Sequence, residues 1–131
     1  MKSETSFDLS GDLIFVEAVV VGPAGRATIQ LLLDTGSVLT TLVPSIAQAI
    51  GYSAATSIRP TVMRTAAADE HGYLVQLLEL SALGIRAPGV HVNVADLGYG
   101  VDGVLGMNFL LDYNIEIRPA ERRIFVERIN P

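Results

Sequence analysis

An acidic residue directly follows an apolar, strand-like run in this chain. Residues 29–33 read Ile-Gln-Leu-Leu-Leu and lead into Asp34-Thr35-Gly36-Ser37. A charged side chain in such a position is rarely buried unless it is paired, hydrogen-bonded or catalytic. Gly36 allows a tight turn that brings a backbone N–H close to the carboxylate, and the hydroxyls of Thr35 and Ser37 can orient it. The segment therefore predicts a loop that presents a functional carboxylate.

The rest of the chain has the pattern of a β protein. Short runs rich in Val, Ile and Leu alternate with Gly and Pro turns, and helical patterns are short. Residues 13–21 and 26–33 predict a hairpin around Gly22-Pro23-Ala24-Gly25. In the second strand of that hairpin, Ala27, Ile29, Leu31 and Leu33 share one face. Asp34 then emerges on the opposite, more polar face.

Further elements follow from the same patterns. Pro44 suits the first turn of a short helix and Gly51 its end. A hairpin with Gly84 in its turn leads to a strand in which Val90, Val92 and Val94 alternate. The remaining predictions are strands at residues 38–43, 61–67, 73–81, 113–118 and 123–128 and one or two helical turns at residues 106–111.

Length and composition restrict the class of protein. The 131 residues suit one domain, residues 1–131, and 50% hydrophobic with 18% charged residues indicates a globular chain. A net charge of -5 without a basic cluster argues against nucleic-acid binding. The absence of cysteine excludes disulfides, thiolate chemistry and Cys-based zinc sites.

The N-terminal sequence does not have the pattern of a signal peptide, because residues 1–6 are polar. The apolar run at residues 13–21 contains Glu17 and is too short to span a bilayer, so no membrane segment is expected. We expect a cytoplasmic protein. The soluble part of a longer, anchored protein would have the same sequence features.

A second segment, Val104-Leu105-Gly106-Met107-Asn108-Phe109-Leu110, strengthens the functional interpretation of the Asp34 loop. Together the two segments, in this order, resemble the aspartic proteases of the single-domain, retroviral (retropepsin-like) type, including their bacterial cellular relatives. The resemblance covers residues 13 to 126 approximately. It implies a closed, mostly antiparallel β fold with one or two short helices, in which the apolar-apolar-Gly segment runs beside the catalytic loop.

The resemblance also implies a mechanism that needs two carboxylates, whereas the chain has one such loop. A homodimer with Asp34 from each subunit would supply the pair. The protein would then hydrolyse peptide bonds of an extended polypeptide, without a metal or cofactor. Thr35 matches the threonine that bonds across the dimer axis, and Gly36 would donate its N–H toward the pair of carboxylates. Ser37 is expected either to donate a hydrogen bond to the carboxylate or to be an ordinary turn residue.

Substrate contacts are expected from the loop and from a mobile hairpin, the flap, at residues 63–73. The residues assigned to substrate binding are Ser37, Thr65, Ala66, Ala67 and Val104. Val104 is alternatively a plain core residue. The two strands of the flap are predicted to turn at residues 68–72, with an alanine-rich tip at residues 66–71, and because the tip is poor in glycine, bending is expected near Gly72. Asp102 and His71 are interpreted as turn and loop residues, and His91 as a structural residue in a strand.

Two other functions remain open at this point. The first is a non-catalytic protein-binding or dimerisation module that retains the fold. This alternative stays open because the flap lacks the glycine-rich tip that retroviral flaps have. The second is a small-ligand β-barrel unrelated to proteases. The intact Asp34-Thr35-Gly36 sequence favours the enzyme, since a purely structural module does not require an acid at this position.

Overall fold

Strands dominate the computed structural model, which describes residues 2–64, 66–98 and 100–128. The strands are β1 Lys2–Ser6, β2 Asp8–Ser10, β3 Leu13–Gly22, β4 Gly25–Leu33, β5 Thr41–Leu42, β6 Arg59–Arg64, β7 Asp69–Gln76, β8 Glu79–Ala82, β9 Ile85–Pro88, β10 His91–Val94, β11 Gly103–Leu105, β12 Tyr113–Arg118 and β13 Arg123–Arg128. The α-helices are α1 Pro44–Ala49 and α2 Met107–Leu110, and single 3₁₀ turns lie at Ala54–Thr56 and Pro119–Glu121.

The strands form one large sheet and one small sheet. The large sheet has the order β6-β7-β10-β5-β11-β4-β3-β8-β9, with β2 paired to β3, and the small sheet has the order β1-β13-β12. Most neighbouring strands are antiparallel; the parallel pairs are β4 with β11 and β5 with β10. The predicted mostly antiparallel fold with two short helices is confirmed. Hydrogen bonds between described strands do not close the large sheet, because β6 and β9 end its path.

The β3–β4 hairpin forms where the sequence predicts it, with Gly22 opposite Gly25. The two faces of β4 also match the expectation. Ile29 and Leu31 are buried, whereas Thr28 and Gln30 are exposed. Alternation of this kind lets one face of the strand pack on the core and leaves the other in water.

Strand β11 lies between β4 and β5 at the centre of the large sheet. It runs parallel to β4 and antiparallel to β5, with Gly103 opposite Leu31 and Leu42. A Cβ at Gly103 would lie 2.3 Å from the Thr41 carbonyl oxygen, so the close approach of β5 requires glycine. The carboxyl ends of β4 and β11 meet at one edge of the sheet as a result. Asp34 follows one of these ends and Gly106 the other.

Both predicted helices are present. Pro44 starts α1, and Gly51 follows it with a φ of 104°, a left-handed conformation that glycine adopts without strain. The side chains of Ala47 and Ile50 attach α1 to the core. None of the helices in the described part of the chain combines the length and the apolar character that crossing a bilayer requires.

The small sheet contains a strand that the sequence patterns did not predict. Strand β1 pairs with β13, with Lys2 opposite Glu127 and Ser6 opposite Arg123. Ile124 and Val126 of β13 are buried in the core, whereas β1 is polar and has no buried residue. Its position therefore depends on backbone pairing and on polar side-chain contacts with distant residues, such as the hydrogen bond from Ser3 Oγ to the Leu83 carbonyl oxygen, and a local apolar pattern cannot reveal these.

The predicted turn of the flap at residues 68–72 is displaced by about three residues. Strands β6 and β7 pair from Arg59 opposite Leu74 to Arg64 opposite Asp69, so the connection lies between Arg64 and Asp69. Gly72 lies within β7 opposite Thr61. A Cβ at Gly72 would lie 2.3 Å from the Val94 carbonyl oxygen, so this glycine permits close strand packing. The expected bending near Gly72 is therefore not supported.

A substitution at Gly72 tests this packing role. In Gly72→Ala, the new methyl group should force β7 away from Val94 and lower the free energy of unfolding by about 1–3 kcal/mol. Urea denaturation measures the change. His71→Ala, at an exposed position of the same strand, is the control and should change stability by less than about 0.5 kcal/mol. Equal stability of Gly72→Ala and the wild-type protein would contradict the close approach of the two strands.

Candidate active site

The backbone around Asp34 forms a tight turn against β11. The Asp34 N–H donates to the Leu105 carbonyl oxygen at 3.1 Å, and the Ser37 N–H donates to the Asp34 carbonyl oxygen at 3.1 Å. The Gly36 N–H donates to Asp34 Oδ1 at 2.9 Å. The sequence predicted this contact, because Gly36 follows the acidic residue by two positions and allows a tight turn. This hydrogen bond fixes one carboxylate oxygen in orientation.

The other groups of the loop remain available to a partner or substrate. Asp34 is partly exposed, and its Oδ2 atom makes no hydrogen bond to any described residue. The Thr35 side chain is exposed and likewise makes none within residues 2–64, 66–98 and 100–128. The Ser37 hydroxyl donates to the Leu39 carbonyl oxygen at 2.9 Å. Because a serine has one donor proton, the expected Ser37 hydrogen bond to the carboxylate is absent from this structure.

The segment after the loop is held by a group of buried and partly buried hydrogen bonds, which we call the Thr40–Asn108 clamp. Asn108 Oδ1 accepts both the N–H and the hydroxyl of Thr40, each at 2.8 Å. The Thr40 hydroxyl oxygen accepts the Gly106 N–H at 3.1 Å, and Asn108 Nδ2 donates to the His91 carbonyl oxygen at 2.7 Å. The clamp therefore joins the loop to α2 and β10, and it satisfies polar groups that burial would otherwise leave unpaired.

Backbone contacts attach the loop to α2 as well. The Met107 N–H donates to the Ser37 carbonyl oxygen at 2.7 Å, and the Asn108 N–H donates to the Val38 carbonyl oxygen at 3.0 Å. A Cβ at Gly106 would lie 2.6 Å from the carbonyl carbon of Leu39. The glycine of the apolar-apolar-Gly segment is therefore what lets α2 approach the loop so closely.

The second carboxylate near this sheet has a structural role. Asp102 Oδ2 accepts the Gln30 N–H at 2.9 Å. Gln30 precedes Asp34 by four residues in an extended segment, which corresponds to a separation of about 13 Å. Asp102 thus binds a backbone N–H of β4 at some distance from the Asp34 loop, in agreement with its interpretation as a turn residue. A single chain does not bring two free carboxylates together at Asp34 in the part that the structure describes.

The predicted substrate-binding residues are not all in one place. Ser37 lies in the loop, whereas Ala66 and Ala67 are exposed in the flap tip. Val104 is 8% exposed within β11, between Leu32 of β4 and Thr41 of β5, which is a core position in this chain. Thr65 lies outside the described residues. The substrate contacts of all five residues stay predictions.

A cavity of about 450 Å³ lies between the Asp34 loop and β6. Two apolar side chains at this cavity are unusually exposed: Val38 at 78% and Val62 at 52%. Exposed apolar groups beside polar ones are typical of a surface that binds a ligand or partner. The cavity is lined by residues 36–39 of the loop, by Arg59 and residues 61–64 of β6, and by Asn93 of β10. Arg59 and Arg64 could not be identified as cavity residues from the sequence, because a single basic residue in a strand does not form a recognisable motif.

Tyr73, on β7, has a buried hydroxyl without a hydrogen-bond partner among the described residues. Burial raises the pKa of Tyr73 above its usual value, because the charged phenolate loses hydration. The phenol therefore stays protonated at neutral pH and does not act as a base. Groups of three or more His, Cys, Asp or Glu side chains suited to a metal ion are not found among residues 2–64, 66–98 and 100–128.

A sequence profile described as aspartyl protease matches residues 16–109. The match covers more than half of the chain and includes Asp34, the Thr40–Asn108 clamp and β6. The chain belongs to the aspartyl protease family. A comparison with curated protein sequences found no significant match.

Solved structures show that this aspartyl protease chain has a retropepsin-like fold. It is similar to a retropepsin-like aspartic protease from Rickettsia conorii, with 17% identity, a TM-score of 0.72, and coverage of 96% of this chain and 91% of that chain. It is also similar to EIAV protease complexed with the inhibitor HBY-793, with 16% identity, a TM-score of 0.58, and coverage of 75% and 85%. At these identities the likeness supports the fold, and the predicted retropepsin-like fold is confirmed.

The clamp can be tested by removing one hydroxyl. In Thr40→Val the side chain keeps its shape, but the Gly106 N–H loses its acceptor in a fully buried position. An unsatisfied buried donor should lower the free energy of unfolding by about 1–3 kcal/mol. Chemical denaturation measures the loss. Thr28→Val makes the same change at an exposed position of β4 and should be nearly neutral. Similar effects of the two substitutions would exclude an energetic role for the clamp.

Proposed function

We propose that the protein is an aspartic endopeptidase in which Asp34 from each of two identical chains forms the catalytic pair. The observation that carries this proposal is the state of the Asp34 carboxylate. One oxygen is fixed by the Gly36 N–H, and the other has no described partner. The loop is partly exposed, and the chain belongs to the aspartyl protease family. A carboxylate held in this way is suited to act together with a second carboxylate in the activation of a water molecule.

Two copies are needed because each chain offers one such carboxylate. Asp102 is engaged with the Gln30 backbone and is too far along the sheet to form a pair with Asp34. A two-fold axis beside the loop would bring Asp34 and Thr35 of both subunits together. The exposed Thr35 side chain and the 78% exposed Val38 side chain are then groups that the second subunit or the substrate can cover.

The proposed reaction follows from the charge of such a pair. Two adjacent carboxyl groups share one proton, because ionising both would place two negative charges side by side. The ionised group removes a proton from a water molecule, whose oxygen forms a bond to the peptide carbonyl carbon. The protonated group donates to the developing oxyanion. The C–N bond then breaks as one carboxyl group donates a proton to the amine nitrogen, while the other carboxylate takes a proton from a hydroxyl group of the tetrahedral intermediate, so the pair again holds one shared proton.

An extended polypeptide is the substrate that fits the cavity. Strand β6 pairs only with β7 among the described strands, so its other edge has free backbone donors and acceptors. A peptide in an extended conformation can pair with such an edge while its side chains enter the space beside residues 36–39. Ser37 would contact this peptide from the loop. Thr65, Ala66 and Ala67 would contact it from the flap tip.

The alternative function is a non-catalytic protein-binding or dimerisation module with the same fold. It would use the same exposed surface, including Val38 and Val62, but would have no need for a carboxylate with one free oxygen. Assays of cleavage separate the two functions, whereas assays of binding or dimerisation do not. The proposed cytoplasmic location is independent of this choice and stays a prediction.

Replacement of the acid tests catalysis directly. Asp34→Asn keeps the side-chain shape and an acceptor for the Gly36 N–H but removes the base, so the cleavage rate should fall by about 10²–10⁴-fold. Mass spectrometry of peptide products measures the rate. Asp102→Asn is the matched control, because the amide oxygen can still accept the Gln30 N–H. Comparable activity of Asp34→Asn and wild-type protein would rule out the Asp34 pair.

Mixing experiments test whether both subunits supply an acid. When wild-type chains exchange with an equal amount of Asp34→Asn chains, about half of the wild-type chains should enter mixed dimers that lack one carboxylate. Activity per wild-type chain should then fall to about half, and dilution below the dimer dissociation constant should lower it further. Addition of the same amount of albumin is the control. Activity that is insensitive to both mixing and dilution, in a protein that sediments as a monomer, would contradict the proposal.

A further inference from the structure

The cavity beside the Asp34 loop is lined by positive charge although the chain is acidic. The protein has a formal net charge of -5, with 14 acidic and 9 basic residues. The cavity nevertheless has Arg59 and Arg64 in its lining and neither Asp nor Glu. Charge placed against the overall balance at a candidate site favours a ligand of the opposite sign.

The two arginines differ in their surroundings. The ion pairs among the described residues are formed by Arg86, Arg118 and Arg123. Arg59 is opposite Leu74 in the strand pair, so its nearest cross-strand neighbour is apolar. Arg64 is opposite Asp69 without forming an ion pair, but that carboxylate still lowers the local positive potential. Arg59 is therefore the less compensated cation of the two.

We propose that this cavity selects peptide segments that carry an acidic side chain near the scissile bond, with Arg59 as the main residue that determines specificity. This inference rests on the proposed endopeptidase function. A guanidinium group binds a carboxylate through parallel N–H donors, which gives both attraction and geometric selection. Neutral side chains of the same shape, such as glutamine, lack the charge and should be recognised less well.

The position of Arg59 on β6 supports this role. Strand alternation places Arg59 on the same face as Thr61 and Met63. Thr61 Oγ1 donates to Asn93 Oδ1 at 2.5 Å, and both of these residues line the cavity together with Arg59 and Met63. Val38 of the Asp34 loop contributes an apolar side chain to the same cavity. A peptide carboxylate bound in the cavity would be partly shielded from water, and this would strengthen its attraction to Arg59.

Arg64 would provide a second, weaker contact at the other end of β6. The two arginines are five residues apart in an extended strand, a separation of about 17 Å. Strand alternation places the two arginines on opposite faces of β6, so a peptide paired with this strand would need two acidic residues about five positions apart, on its own opposite faces, to contact both cations. The negative groups that compete for them are Asp34, Asp69 and Glu70, the last opposite Met63. None of these lines the cavity itself.

The test compares peptides that differ in one charge. A pool of synthetic peptides first identifies a sequence that the wild-type protein cleaves. A matched series then places Glu or Gln at each position around the cleaved bond, and kcat/KM is measured for each pair. At one position or more, the Glu peptide should be cleaved about five- to tenfold more efficiently than the Gln peptide. This ratio should fall as the salt concentration rises.

Substitutions assign the preference to Arg59. In Arg59→Gln the Glu-to-Gln ratio should fall close to one, and in Arg64→Gln it should fall less. In Arg59→Glu a Lys peptide should become the better substrate at that position. Arg26→Gln is the matched control, because Arg26 precedes Asp34 by eight residues in an extended segment, about 26 Å away. A wild-type ratio near one, or a ratio that survives in Arg59→Gln, would overturn the inference.

A binding measurement keeps this inference separate from the proposed function. Glu and Gln peptides in which a reduced CH₂–NH bond replaces one peptide bond cannot be cleaved, and their binding to the wild-type protein can be followed by fluorescence anisotropy. Tighter binding of Glu peptides that depends on Arg59, without cleavage of any peptide in the pool, would support the acidic preference and contradict the endopeptidase. Cleavage without a charge preference would contradict the acidic preference alone. Neither binding nor cleavage would contradict both.

Discussion

The geometry of the site depends on the hydrogen bonds that the β11–α2 segment makes to the Asp34 loop. The Leu105 carbonyl oxygen accepts the Asp34 N–H, and the Thr40–Asn108 clamp fixes the chain six residues later. These contacts join residues that are more than 60 positions apart in the sequence. The loop therefore acquires its shape only when β11 has entered the sheet between β4 and β5. A carboxylate positioned in this way does not need to reorganise when a substrate arrives, which is the basis of electrostatic preorganisation.

The β6–β7 hairpin, on the other side of the cavity, has fewer contacts that hold it in position than the Asp34 loop has. Strand β6 is an edge strand with β7 as its described partner, whereas residues 34–40 form hydrogen bonds with β11, α2 and β10. Edge hairpins with exposed hydrogen bonds open locally at lower free-energy cost than buried central strands. The β6–β7 hairpin is thus the side of the cavity that we expect to open at lower free-energy cost, and the proposed extended peptide would enter there. Because Gly72 packs against Val94, such motion would involve the tip and the β6 edge rather than a hinge within β7.

Sequence patterns correctly predicted the structural elements that are determined by residues close together in the sequence. The Asp34 turn, the Pro44 start of α1 and the β3–β4 hairpin follow from residues within a few positions of each other. The flap tip was misplaced because the polar residues from Asp69 onward look like a turn but pair with β6. The predicted strand at residues 73–81 is divided because Leu77 bonds to Val90 and Leu78 to Val21, a change of partner strand. The neighbour with which a strand pairs depends on tertiary packing, and a local sequence pattern contains little information about it.

The side-chain partners in the site were equally hard to predict. The Ser37 hydroxyl had two possible acceptors within reach, the carboxylate and a main-chain carbonyl, and the sequence could not distinguish them. Asn108 follows Gly106 in a segment recognised for its apolar residues, yet its amide makes three of the hydrogen bonds that hold the loop. A polar residue in an apolar run is a signal of such a network, since burying an amide requires partners.

The charge of the cavity bears on the chemistry of the proposed pair. A catalytic pair with one shared proton carries one negative charge, and the chain as a whole carries -5. Two negative charges about 10 Å apart repel each other by roughly 0.4–1.7 kcal/mol for an effective dielectric constant between about 80 and 20. An acidic substrate would meet this repulsion in a cavity without cations. Arg59 offsets it at the cavity, so the same arginine that recognises the substrate also allows a negatively charged site to accept it.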